Sequence, residues 1–375
     1  MNAPKKLALY LHIPFCASKC CYCDFASYSH RESVWADYMA MLKAEWRGWQ
    51  GQLAEYELQT VFFGGGTPSI LPAQDIAELL ETVRRDRTVA GDAEITLEAN
   101  PGTLTPEKLR LYREAGVNRL SIGAQSMEDR LLRALGRIHT AREVRDSVEM
   151  ARDLDFENIS LDLMYGLPGQ TMADWMRTLE AAIALEPDHL SAYSLILEEG
   201  TPLAQSRPEL PDDDLTVEMQ RAAVIRLAQA GLFRYEISNF ARKGRECRHN
   251  KVYWDRGEYL GLGCAAHSML KGVRFENPRE LEAYLDGQRQ LNRRVLTRSE
   301  EMVETLMLST RLCRGLDLEK YRAQFGVRFE EGRRQRLDQL EAHALAETRD
   351  GFFRLTGKGL ELQNAVVVEL MDDEG

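Results

Sequence analysis

Four cysteines crowd into one short stretch near the start of the chain, Cys16-Ala-Ser-Lys-Cys20-Cys21-Tyr-Cys23. Cys16, Cys20 and Cys23 stand at C-x3-C-x2-C spacing, which lets three thiolates converge on one iron–sulfur cluster. Three protein ligands on a four-iron cluster leave one iron open for chemistry. Cys21 reads as a bystander, because ligation through adjacent Cys20 and Cys21 is geometrically awkward. Two other readings stay open, zinc and redox thiols. Zinc usually draws four ligands from two separated pairs, whereas Cys247, Cys264 and Cys313 are scattered and distant. A disulfide framework needs an oxidising compartment, and Met1-Asn-Ala-Pro-Lys-Lys6 lacks the apolar core of a secretory signal.

Seven cysteines, several of them wanted reduced, point to the cytoplasm. At 375 residues the chain suggests one large domain and a smaller one. Hydrophobic residues make up 44% and charged residues 29%, an ordinary globular balance that can bury a full core. The net charge of −11 argues against a nucleic-acid-binding surface. No apolar run approaches the roughly 18 residues of a membrane span.

Apolar, β-rich runs alternate with helical stretches. The strand candidates are Leu7–Ile13, Thr60–Gly64, Glu94–Glu98, Arg119–Gly123, Ile159–Tyr165 and His189–Ile196. Their near-continuous apolar interiors read as buried parallel strands. Between them, Val34–Trp49 places Val34, Tyr38, Leu42 and Trp46 on one helical stripe. Thr105-Pro106 opens a helix that Gly116 closes. Thr171 caps another, running to about Leu185, and Asp212–Asp214 begin one that ends near Gly231. Six β/α units in series predict a parallel sheet, either a partial barrel or a doubly wound sheet.

The texture changes near residue 290, so residues 1–290 and 291–375 are read as two domains. Glu300–Leu312, Asp317–Phe325 and Glu331–Leu345 predict three helices, Phe352–Leu355 a short strand and Gly357–Leu370 a last helix. This order suggests a mainly helical, winged-helix-like unit. Without a basic recognition helix it is read as a packing unit rather than a DNA-binding one.

Phe62-Phe-Gly64-Gly65-Gly66-Thr67-Pro68 ends the second strand candidate, and its glycines allow close backbone approach to a ligand or simply a tight bend. In an α/β barrel it would share the C-terminal face with the cysteines. Four polar residues then recur at or after later strands, namely Glu98, Gln125, Arg137 and Asp162. Charge in an apolar strand is costly unless paired or used for binding. Structural ion pairing, for example Asp162 with Arg137, stands beside recognition of a polar ligand.

The cysteine spacing with its flanks, Tyr10-Leu-His-Ile-Pro-Phe-Cys16 and Tyr22-Cys23-Asp24-Phe25, resembles the radical S-adenosylmethionine (SAM) superfamily. That resemblance favours an α/β fold built as an open, partial (β/α)6 barrel. It implies a [4Fe–4S] cluster on Cys16, Cys20 and Cys23 whose open iron is chelated by the amino and carboxylate groups of SAM. Positions matching the family's SAM-binding residues are Tyr10, Tyr22, Gly65, Gly66, Thr67, Glu98, Gln125, Arg137 and Asp162. Tyr22 is expected to contribute backbone, its side chain pointing away from the metal.

The whole chain is similar to the coproporphyrinogen-oxidase-like branch of that superfamily, and more to its haem chaperones than to the oxygen-independent oxidase. The oxidase carries a further cysteine two residues after the third ligand, where Phe25 stands here. The stretch ahead of the cluster loop is also short. Both differences put oxidative decarboxylation of propionates in doubt, so enzyme and chaperone stay open as classes. Cys247-Arg-His249-Asn250-Lys-Val-Tyr253-Trp254 resembles the chaperones' HNxxYW motif. It implies haem as cargo, with His249 as an axial ligand; the other reading is a polar loop anchored by aromatic packing. His267 is the second histidine candidate. The implied partners are haem and a recipient respiratory haemoprotein, with a homodimer and peripheral membrane association as further expectations. No C-x-x-C-H occurs, so covalent c-type attachment is not expected.

Overall fold

All six apolar runs form strands. They are β1 (Lys5–Ile13), β2 (Tyr56–Gly65), β3 (Val89–Ala99), β4 (Arg119–Gln125), β5 (Ile159–Tyr165) and β6 (His189–Ser194). The computed structural model describes residues 3–371. Several strands start earlier than their apolar runs, because the first residues, such as Lys5 and Lys6, extend beyond the buried layer. Strand β6 stops before Ile196, which is exposed.

The six strands pair in parallel in chain order. Helices between them carry the expected stops and starts. Trp35–Trp49 buries Tyr38, Leu42 and Trp46, while Val34 lies in the 3-10 turn just before it. Thr105 accepts from Lys108 N, and Gly116 closes that helix at φ +96°. Thr171 and Asp174 form a reciprocal capping box at the start of Met172–Ile183. Asp212 caps Asp213–Gln229 by accepting from Leu215 N at 2.8 Å.

The sheet is larger than expected. Among the described residues it has twelve strands, six of them between residues 233 and 295: β7 (Phe233–Arg234), β8 (Asn239–Ala241), β9 (Tyr259–Leu262), β10 (His267–Leu270), β11 (Val273–Glu276) and β12 (Leu291–Val295). The order is β12-β11-β10-β9-β1-β2-β3-β4-β5-β6-β8-β7. Strand β9 pairs parallel with β1, and the remaining additions are antiparallel. These strands are short and lie toward the edges, so their sequences lack the continuous apolar signature of buried parallel strands. Leu-Asn-Arg-Arg-Val in β12 is exposed at every position. The end strands do not pair with each other, so the sheet is an open, partial barrel.

One large core under the sheet contains Leu9, Leu11, Phe63, Leu97, Ile122 and Leu163. A second core, with Tyr321, Phe325, Phe329 and Phe353, belongs to the C-terminal segment. There the helices are Arg298–Ser309, Leu318–Phe325 and Arg334–Ala342 around a three-stranded sheet. The expected strand Phe352–Leu355 pairs with Ala346–Arg349, whose polar sequence hid it, and with Leu316–Asp317. The last expected helix is two helices, Gly357–Glu361 and Gln363–Met371, separated at Leu362. The winged-helix-like order is thus present.

Candidate metal and cofactor site

The chain leaves β1 at Ile13, and Phe15-Cys16 pairs in parallel with Tyr28-Ser29 to close the cluster loop. Tyr28 N donates to Pro14 O at 2.7 Å, and Cys23 N donates to Cys20 O at 3.2 Å. The glycine run after β2 fits against this loop. Gly66 N donates to Ile13 O at 2.8 Å and Thr67 N to Phe15 O at 2.7 Å. A Cβ on Gly66 would stand 2.6 Å from Phe15 O and 3.0 Å from Cys16 Sγ. Gly65 has φ +116°, and its Cβ would meet the His12 ring at 2.5 Å. Sequence at this turn is therefore dictated by proximity.

One cavity of about 500 Å3 is lined by every expected cluster and SAM residue: Cys16, Cys20, Cys23, Tyr10, Tyr22, Gly65, Gly66, Thr67, Glu98, Gln125, Arg137 and Asp162. It opens where the parallel strands end, as in α/β folds generally. Thr67 Oγ1 donates to Cys16 Sγ at 3.6 Å, and Arg137 Nη1 donates to Cys20 Sγ at 3.4 Å. Burial pushes the Cys16 thiol up, and charge on Cys23 and Cys20 pushes it further. Burial likewise raises Cys23. Such thiols ionise together only against a strong positive charge such as a metal centre. Cys16, Cys20 and Cys23 line this one cavity, and three thiols are the donor type that iron–sulfur clusters take. The residues present fit a [4Fe–4S] group. Cys21 turns away, its Sγ 3.5 Å from Ala134 O.

Deeper in the cavity, Glu98 accepts from Gly65 N at 3.0 Å. Burial, then the charge of Asp162, raises its carboxyl to about 8. Asp162 accepts from Ser121 Oγ at 3.1 Å, and its carboxyl is raised by burial against the pull of Ser191 and Arg119. The alternative Asp162–Arg137 ion pair does not form. Arg137 Nη2 instead donates to Asn100 Oδ1 and to Gly123 O, both at 2.7 Å. Two cavity-lining carboxyls without an ion pair among the described residues suit a cationic ligand, and SAM carries an ammonium and a sulfonium. Gln125 holds φ +61° at the end of β4, a conformation costly for a side-chain-bearing residue, where the β4–β5 register shifts.

Two expectations change, and two residues of the site are new. Tyr22 does not point away: burial raises its hydroxyl, Arg137 opposes this, and Cys20 and Cys23 raise it further, so the ring faces the cluster cysteines. Asn100 was not singled out, yet it joins two parts of the site, since Asn100 Nδ2 donates to Thr67 Oγ1 at 2.8 Å while its Oδ1 takes Arg137. Its position two residues after Glu98, at the strand end, was the available signal. Arg119 was also missed; it is buried and lines the cavity.

His249 is the second changed expectation. It too lines the cavity, but it offers no nitrogen to iron. Its Nδ1 lies 2.8 Å from Thr60 Oγ1 and its Nε2 2.8 Å from Tyr253 OH. The ring is fully buried, stacks on Phe62 at 4.9 Å, and burial lowers it to about 3, with Arg119 adding to the effect. Glu94 holds the helix Arg248–Trp254 in place by accepting from Arg248 N at 2.9 Å and His249 N at 3.0 Å. The HNxxYW stretch is thus an anchored structural helix at the cavity wall, and the expected axial-ligand role of His249 is withdrawn because both ring nitrogens are engaged.

Known proteins agree with this geometry. Residues 10–182 match the Radical SAM superfamily model, and residues 296–362 match the HemN C-terminal domain model. "Heme chaperone HemW" of Bacillus subtilis (strain 168) is 35% identical, over 95% of this chain and 97% of that protein. The protein of the same name from Escherichia coli (strain K12) is 35% identical, over 96% and 97%. The solved coproporphyrinogen III oxidase (HemN) of Escherichia coli, described as a radical SAM enzyme, superposes with a TM-score of 0.87 at 25% identity, over 99% of this chain and 91% of that one. Cluster loop, glycine turn and full-length similarity therefore converge, and the chain belongs to the radical SAM superfamily, in the family of the heme chaperones HemW.

Proposed function

We propose that this protein is a haem chaperone: it holds a [4Fe–4S] cluster on Cys16, Cys20 and Cys23, binds SAM beside it, takes up haem and hands it to a respiratory haemoprotein. The single observation that carries the reading is the 35% identity to the heme chaperones across 95% of the chain. The site agrees with it. Phe25, two residues after Cys23, is 68% exposed, so this position brings no further thiol to the cluster loop. When bound, the cluster supplies single electrons to SAM. Tyr10, Tyr22, Gly65, Gly66, Thr67, Glu98, Gln125, Arg137 and Asp162 are the residues we assign to SAM. Glu98 and Asp162 would face its cationic groups, and Arg137 would hold Cys20 and Asn100 in register.

The likeness to coproporphyrinogen III oxidase favours a second reading, propionate decarboxylation. One sample separates the two. Anaerobically reconstituted protein is titrated with haem while the Soret band is followed, and is then given reduced cluster, SAM and coproporphyrinogen III. Saturable haem binding without porphyrinogen turnover is expected. Turnover at enzyme-like rates would overturn the chaperone reading. Among the described residues no helix is long and apolar enough to cross a membrane; membrane association, a homodimer and the division near residue 290 remain parts of the proposal.

A further inference from the structure

A second cavity, of about 860 Å3, lies between the cluster loop and strands β9 to β11. Its volume is in the range of pockets for large cofactors. Tyr10, Phe25 and Tyr253 line both cavities, so the two adjoin. The walls of the second one include Trp254, Tyr259 and Met269, flat or polarizable groups suited to a macrocycle face.

Four histidines line the two cavities, His12, His189, His249 and His267. Three of them have both ring nitrogens engaged. His12 meets Tyr10 OH and Ala26 O, His189 meets Ser160 Oγ and Tyr235 OH, and His249 meets Thr60 Oγ1 and Tyr253 OH. His267 differs. Its Nδ1 lies 3.1 Å from Glu276 Oε2, and its Nε2 has no partner among the described residues. The pairing is built into the sheet, because His267 of β10 and Glu276 of β11 are direct antiparallel partners. A carboxylate on Nδ1–H fixes the tautomer and leaves the Nε2 lone pair outward, the arrangement by which metal-ligating imidazoles are oriented. The His267 side chain is 68% exposed. At the rim, Arg279 touches Asp24 and retains further N–H donors for a carboxylate.

We propose that this second cavity receives the haem and that His267 Nε2 is its axial ligand, with Glu276 the positioning residue and Arg279 a partner for a propionate. The inference rests on the chaperone reading and adds where, and through which atom, the cargo is held.

The test uses full-length, cluster-loaded protein titrated with haemin, with ligation read by the Soret position and by EPR of the ferric form. Wild type is expected to bind saturably with an imidazole signature. His267→Ala is expected to lose that signature and to bind at least about tenfold more weakly, and added imidazole is expected to restore it. Glu276→Gln keeps the ring and is expected to weaken binding about tenfold. Iron content and thermal melting of each variant show whether it is folded; if His267→Ala is not, Glu276→Gln decides. Unchanged binding and signature in a folded His267→Ala, or in Glu276→Gln where that variant decides, would overturn the assignment and leave the chaperone reading intact. No saturable haem binding by wild type would overturn both.

Discussion

Gly66 shows how little freedom a single residue has here. Any side chain at this position meets the Phe15 carbonyl and the Cys16 sulfur at once. Gly66→Ala is therefore expected to prevent stable cluster assembly while leaving most of the fold; iron content and the visible spectrum of anaerobically reconstituted protein check it. Glu98 offers a second test at this scale. Its folded value of about 8 lies above the ordinary 4.5, so the folded form holds an extra proton between the two. Stability from that proton is complete below about pH 4.5 and declines as pH rises toward about 8. Cluster-free wild type should thus lose melting temperature relative to Glu98→Gln across that window, and a pH-independent difference would refute it. The cysteines, glycines and carboxylates were legible in the sequence because each violates what an apolar strand or ordinary turn would carry. Asn100 was not, since an asparagine before proline reads as a turn. The role of His249 was not legible either: a motif locates a residue but says nothing of which hydrogen bonds occupy its ring.

At the level of elements, the helix Arg248–Trp254 is only a short piece, held from outside. Glu94 takes two of its N-terminal N–H groups, and Thr60 takes one nitrogen of His249. Glu94→Ala leaves those buried donors without their charged acceptor, and is expected to cost about 3 kcal/mol in denaturant unfolding. Thr60→Val, which loses one neutral hydrogen bond, is expected to cost about 1 kcal/mol. Equal effects would argue that Glu94 does not anchor the helix. The six parallel strands were legible because burial on both faces makes them continuously apolar. The edge strands were not, for they alternate, shorten or carry charge, as β12 does with Arg293 and Arg294. Charge on an edge strand blunts pairing with other chains.

Across the whole molecule, the C-terminal segment is fastened to the sheet through Arg256. This buried guanidinium reaches Glu301 O at 3.3 Å and Thr305 Oγ1 at 3.2 Å on the helix Arg298–Ser309, while Glu304 of that helix pairs with Arg274 of β11 at 2.8 Å. Arg256→Met is expected to cost about 3 kcal/mol and to speed hydrogen exchange in residues 298–309 before the barrel opens. Arg221 and Glu361 join the same two regions at the surface, 2.7 Å apart, and Arg221→Ala should cost under about 1 kcal/mol. The change in texture near residue 290 marks where the helical C-terminal segment is expected to begin, but the sheet itself runs on to Val295.

The unpaired end strands have a mechanical consequence. A closed ring would admit guests only along its axis and would have to break hydrogen bonds to let a wide, rigid disc through its side. Here no ladder joins β7 to β12; instead the C-terminal segment lies against both margins, Leu312 bridging to Glu236 beside β7 and Glu304 pairing with Arg274 of β11, so the gap is spanned by one bridge and an ion pair that can part while every rung of the sheet stays intact.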